Sequence, residues 1–233
     1  MEDKILMKNK IKFSQEDILK ALDTCYEKAT NGISKISPSI DQLAGDYLSK
    51  HASKEEAIKD MLKKQVLKCT TSGFITGFGG AITLPVTIPA NIGSVLYVQM
   101  RMIACTAYMA GYDISSDQVQ TLVYACLAGL SVGEIAKQFG IKFGQKVAVG
   151  MIEKIPGKVL TKINQKVGFR LLTKFGEKGL INLGKLVPGV GAVINGGAET
   201  KAIAKRAYQM FVENNFDIGE KIDDIIDAEA TAI

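Results

Sequence analysis

The sequence predicts an all-α protein, a multi-helix bundle around a glycine-rich apolar helical hairpin. Apolar residues recur at spacings of three and four over most of residues 14–214, the signature of one helix face after another. No stretch alternates apolar and polar residues over six positions between turn signals, apart from short ambiguous runs such as Ile82–Ile88. Strands alternating with helices are absent, which argues against a parallel nucleotide-binding sheet.

Ser14-Gln15-Glu16-Asp17 reads as a helix N-cap with acids in the first turn, where they meet free amides and the positive end of the helix dipole. Ile18, Leu22, Cys25 and Ala29 follow on one face, and Asn31-Gly32 ends the run. Ser37-Pro38 opens a short second helix to about Lys50. Ser53-x-x-Glu56 is a capping box, followed by Ile58, Leu62, Val66 and Cys69. Cys69 through Met100 carries no charged residue, and Pro85 and Pro89 divide that run into two apolar arms joined by a turn at about Thr83–Pro89. The second arm continues through Arg101 to Ala110 and closes at Gly111-Tyr112-Asp113. Ser115-x-x-Gln118 is read as the cap of the next helix, whose apolar face is Val119, Leu122, Val123, Cys126, Leu127 and Leu130. Further helices are expected at about 132–152, 157–178 and 190–214. Residues 1–52 form N-terminal amphipathic helices, 53–212 the main helical domain and 213–233 an acidic tail, within one globular domain overall.

Composition narrows the function classes. Apolar residues make up 47% of the 233 residues, enough for a sizeable core, and charged residues 23%. The formal charge of +5 is too mild to argue for nucleic acid. The residues up to Lys12 hold no long apolar run, so a secretory signal is not expected. Cys25, Cys69, Cys105 and Cys126 form no C-x-x-C pair and read as buried apolar residues of a reducing compartment, so the expected location is cytoplasmic.

Several motif matches fail on context. Gly129-Leu130-Ser131-Val132-Gly133 fits the G-x-S-x-G nucleophile elbow, but a helix precedes it and the one histidine, His51, lies upstream. Gly179 to Leu186 approaches a phosphate-binding loop, yet Leu186 stands where a hydroxyl is needed for magnesium. One histidine and scattered cysteines assemble no zinc site, so neither a metal nor a cofactor is expected. His51 reads as solvated. Glu134 and Glu199 each stand alone, on helix surfaces or as core charges with a partner.

Two features rise above this background. Gly73-x-x-x-Gly77, followed by Gly79-Gly80, gives the first apolar arm a bare backbone strip for close helix packing. The hairpin with Pro85 and Pro89 is therefore either the buried centre of a bundle or a device that meets a membrane. The second feature is a ladder of cations: Lys142 and Lys146, then Lys154, Lys158, Lys162, Lys166, Arg170, Lys174 and Lys178 at every fourth residue. Leu160, Ile163, Val167, Leu171 and Phe175 fill the other side. Such a helix suits an anionic lipid surface, a solvated face, or pairing with the acidic tail at Asp217, Glu220, Asp223, Asp224 and Asp227. Nucleic acid fits less well, since no aromatic residues are interleaved with the lysines.

Gly73-Phe-Ile-Thr-Gly-Phe-Gly-Gly-Ala-Ile-Thr-Leu-Pro-Val-Thr-Ile-Pro89, with Gln99-Met-Arg101, Ile103-Ala104 and Tyr108-Met-Ala-Gly-Tyr-Asp113, resembles the signature of the EcsC family. Ala110 departs from it by separating Tyr108 from Gly111. Lys185-Leu-Val-Pro-Gly-Val-Gly-Ala192, with Asn195 beyond, looks like the family's second block. The resemblance covers roughly residues 60–212. It implies a bacterial protein with membrane-linked work in export or envelope homeostasis, and it supplies no established catalytic residues. By motif position Gln99, Arg101 and Asp113 are the candidate polar site. Arg101 interrupts an uncharged arm, so its burial requires acceptors: Glu134, Glu199, or carbonyls at the Pro85–Pro89 turn. The expected function is non-enzymatic: a helical protein at the cytosolic face of the inner membrane, holding anionic lipid or a membrane protein. The alternatives are an enzyme acting on a lipid or peptide, with a pocket converging on Gln99, Arg101 and Asp113, and a pore-forming or membrane-damaging effector. Oligomeric state is not legible.

Overall fold

The computed structural model describes residues 14–70, 90–140, 149–175 and 191–213. In chain order the helices are α1 (Gln15–Asn31), α2 (Ile40–Leu48), α3 (Lys54–Thr70), α4 (Ala90–Ala110), α5 (Asp117–Leu127), α6 (Val132–Phe139), the single turn α7 (Val149–Ile152), α8 (Gly157–Phe175) and α9 (Gly191–Tyr208), which runs into a π-helical turn at Gln209–Glu213. No strand occurs among the described residues; Ile33 and Ser37 make one isolated antiparallel bridge. The protein is all-α, as the helical periodicity requires. Gly73, Gly77, Gly79, Gly80, Pro85 and Pro89 of the hairpin turn lie outside the described residues.

The helix starts follow local chemistry. Ser14 accepts from the Asp17 amide at 3.0 Å while the Asp17 carboxylate accepts from the Ser14 amide at 2.9 Å, so two orphan N–H groups are satisfied at once. Ser53 accepts from the Glu56 amide at the start of α3. At α5 the cap is Ser116, which accepts from the Val119 amide, rather than Ser115. The Asp113 carboxylate has already taken both the Ser115 amide and its hydroxyl in a local turn, leaving the next serine to cap. The helix expected over 132–152 stops at Phe139, because Gly140 takes the left-handed conformation (φ 67°, ψ 22°) that closes a helix and its amide bonds the Ala136 carbonyl.

α4 is the axis of the bundle. It packs against α1, α2, α3, α5, α9 and the π turn. From Leu96 to Met109 every residue is buried except Tyr108. A helix covered on all sides belongs to a core or a membrane span, and here protein supplies the cover. Among the described residues no single helix is long and apolar enough to cross a membrane; α5 and α6, bent by 113°, pass that test only as a pair. α1 joins the bundle through Tyr26, whose hydroxyl donates to the Ile114 carbonyl at 2.7 Å and whose ring meets Tyr124 edge-on. α8 packs its Leu160, Ile163, Val167 and Leu171 side against α1, α5 and α6.

The α1–α2 connection is tightly specified. Gly32 has φ 79°, and a Cβ there would stand 2.6 Å from the Pro38 carbonyl carbon and the Ser37 oxygen. Only glycine allows that approach. The loop is held from below by α4: Ser37 and Tyr97 share a short hydroxyl–hydroxyl hydrogen bond, and Arg101, one turn on, reaches the next carbonyls.

Candidate functional site

The three residues of the candidate polar site point in different directions. Gln99 is buried, and its amide donates to the Thr200 hydroxyl of α9 at 2.9 Å. Arg101, only 4% exposed, turns to the opposite side of α4. It donates from one terminal nitrogen to the Ala29 carbonyl at 3.0 Å and from the other to the Ser39 carbonyl at 3.3 Å. Asp113 is exposed and occupied with Ser115, whose hydroxyl and amide hold its carboxyl below the usual range. Gln99 and Arg101 face opposite sides of α4, and Asp113 lies apart from both at the surface.

Among the described residues the Arg101 acceptors are the end of one helix and the start of another. Glu134 pairs with Arg170 instead, and the Pro85–Pro89 turn lies outside the described residues. Ala29 lies in the last turn of α1, where carbonyls lack intrahelical donors and the dipole is negative. Ser39 is the N-cap residue of α2, and its carbonyl also accepts the Leu43 amide. A planar guanidinium bridges the two, which a single ammonium does less well. Tyr97 and Arg101 thus form, at i and i+4 on α4, a clamp on the 32–39 loop. Sequence reasoning found Arg101 but missed Tyr97 and Thr200; their only signal was polarity on an otherwise apolar helix face.

A polar seam runs between α3, α4 and α9. Thr200 accepts from Gln99 and hydrogen-bonds Cys69, and the buried Gln65 one turn before Cys69 leaves its amide nitrogen without a partner. The four cysteines are buried, and desolvation pushes Cys25, Cys105 and Cys126 up to about 12 and Cys69 to about 11. They are inert small side chains at neutral pH. His51 is partly covered rather than freely solvated, with Nδ1 2.9 Å from the Tyr47 carbonyl and Nε2 3.3 Å from Asp60. Ser131, the serine of the G-x-S-x-G match, is the N-cap of α6, in a capping box with Glu134.

The cationic ladder divides in the structure. Lys154, Lys158 and Lys162 are exposed and Lys166 is partly so. Phe169 lies in line with them and is 60% exposed. At about 100° per residue, Lys158, Lys162, Lys166 and Phe169 fall within an arc of about 80° on α8. Arg170 lies beyond that arc and is engaged: it donates to the Gly129 carbonyl at 3.1 Å and to the Glu134 carboxylate at 3.1 Å. Burial alone would raise the Glu134 carboxyl; the Ser131 amide, the Arg170 guanidinium and the Ser131 hydroxyl outweigh it and hold the group below its usual range. Lys178 lies outside the described residues, as do Lys142 and Lys146; Lys174 falls in the last turn of α8. Across 149–175 six basic residues face a single acid, Glu153. The two regions that chemistry marks are therefore a closed structural clamp at Arg101 and an open cationic face, with one exposed aromatic ring, on α8.

An all-α bundle closed around one buried arginine, with a cationic helix on its outside, is the class these features define. The chain belongs to the EcsC protein family, whose sequence pattern matches residues 10–210. The match takes in α1 and α2 as well as the glycine-rich blocks. No curated protein and no solved structure matches the chain.

Proposed function

We propose that this EcsC-family chain is a peripheral membrane protein of the cytosolic face, holding anionic lipid on the outer side of α8. One observation carries the reading: Lys158, Lys162 and Lys166 share a narrow arc with Phe169, a large aromatic ring left 60% exposed. Phe169 is the most exposed large apolar side chain among the described residues. At a bilayer the lysines meet lipid phosphates and the ring enters the headgroup boundary. Each lysine near an anionic surface contributes about 1 kcal/mol, so with Lys154 the face supplies roughly 4 kcal/mol before the ring is counted. That is a reversible attachment, suited to a protein that works beside export or envelope machinery. Arg170 is excluded from the lipid contact by its bonds to Gly129 and Glu134.

Co-sedimentation with vesicles of phosphatidylcholine containing phosphatidylglycerol tests this. Binding is expected to weaken steeply with salt, since charges are screened over about 8 Å at physiological ionic strength. Lys158→Gln, Lys162→Gln and Lys166→Gln together are expected to lower it by about a hundredfold, with helicity kept. Equal binding by that variant sinks the reading. Binding only to vesicles carrying membrane protein transfers the role from lipid to a protein partner.

A further inference from the structure

We infer that the acidic segment 214–233 of this chain is an intramolecular occupant of the α8 face and competes there with anionic lipid. The inference rests on the reading of that face as the lipid-binding one. The face itself is open: Lys154, Lys158, Lys162 and Lys166 make no ion pair among the described residues, whereas Arg170 beside them is paired. The segment complements it in charge, with Asp217, Glu220, Asp223, Asp224, Asp227 and Glu229 against the single cation Lys221. It also carries Phe216, Ile218, Ile222, Ile225 and Ile226, apolar groups of the kind that cover an exposed ring such as Phe169.

The connection is long enough. Asp227 is fourteen residues beyond Glu213, a reach of roughly 46–50 Å when extended. A compact domain of this length has a radius of gyration of about 17 Å. Extended, the segment spans more than twice that radius, so α8 lies within its reach. Tethering gives it an effective concentration in the millimolar range. Individual lysine–carboxylate pairs are weak at a surface, so the contact is one that a dense array of lipid phosphates displaces.

Two measurements on the full chain separate this inference from the lipid reading. Carbodiimide joins carboxylates to lysines already in contact, and in the monomer fraction it is expected to link Asp217–Asp227 to Lys158, Lys162 or Lys166. Phosphatidylglycerol vesicles supply the second readout. Asp223→Asn, Asp224→Asn and Asp227→Asn together are expected to raise vesicle partition roughly fivefold at low salt. The charge-matched control Glu27→Gln, Asp46→Asn and Glu56→Gln removes three exposed carboxylates elsewhere and is expected to change it less than twofold. Links from the segment only to other lysines, or an equal gain in the control, overturn the inference. Links to the α8 lysines with no vesicle binding by any variant uphold the intramolecular contact and overturn the lipid reading.

Discussion

α4 and α8 are helices of similar length, 21 and 19 residues, that treat charge in opposite ways. α4 carries one charged side chain, buried, with each arm of its guanidinium assigned to a backbone carbonyl. α8 carries a row of cations in which Arg170 has a fixed partner, while Lys158, Lys162 and Lys166 have none among the described residues. A charge taken out of water needs acceptors in place, so Arg101 is inseparable from the architecture that supplies them. A charge left in water needs none, so Lys158, Lys162 and Lys166, which make no ion pair among the described residues, are not required by the packing of α8. Position on the fold, more than residue type, decides which arginines and lysines hold the structure and which act at its surface.

The comparison breaks or sharpens under substitution. The largest expected effect is Arg101→Leu, which leaves the Ala29 carbonyl buried with no donor and takes one bond from Ser39. The expected cost is about 2–4 kcal/mol, read as a lower urea midpoint and earlier exposure of the four buried thiols to a disulfide reagent. Arg101→Lys is expected to recover part of this, since an ammonium reaches one carbonyl rather than bridging two. An unchanged midpoint for Arg101→Leu means that α4 has a hydrated side at Arg101. Next in size is Arg170→Leu, about 1 kcal/mol, because its pair with Glu134 is half in solvent and the Gly129 carbonyl can be hydrated. A loss at Arg170 equal to that at Arg101 removes the distinction between the two helices.

A smaller effect appears on acidification. Glu134 titrates below its ordinary 4.5 in the folded protein, so its stabilisation is complete above that value and is lost as pH falls through the depressed folded pKa. Stability followed by urea melts from neutral pH downward is expected to fall below about pH 4.5, and Glu134→Gln to flatten that part of the fall. A variant that loses stability in parallel with the parent shows that the α6–α8 pair contributes nothing.

What was legible in the sequence follows the same division. Helical periodicity and serine caps are local, so Ser14 and Ser53 stand where the sequence places them. Ser115 misleads by one residue because Asp113 captures it, a competition between two local bonds that spacing alone does not rank. Gly140 was a readable stop inside the helix expected over 132–152, since a glycine between Phe139 and Ile141 is a common left-handed cap. The need of Arg101 for acceptors was legible; their identity was not, because backbone carbonyls leave no mark in a sequence and Ala29 and Ser39 meet Arg101 only through the fold. The ladder looks uniform in the sequence from Lys154 to Lys178, and it is α6, which brings Glu134 to Arg170, that sets Arg170 apart from the lysines before it. Phe169 was missed because its exposure is a property of packing: Gly168 beside it lets α8 approach Gln15 and Leu19 of α1, and the ring faces outward.

The central claim is that the outer side of α8 meets lipid, and Phe169 gives it a direct reporter. The chain contains no tryptophan, so Phe169→Trp installs a single fluorophore at the centre of the face. Its emission is to be followed as phosphatidylglycerol vesicles are added at low salt, and again after salt is raised. The account predicts a blue shift on addition, reversed by salt and absent with phosphatidylcholine alone. An emission maximum that stays at its lipid-free value while the protein co-sediments with the vesicles would contradict it, and would place the lipid contact elsewhere on the molecule.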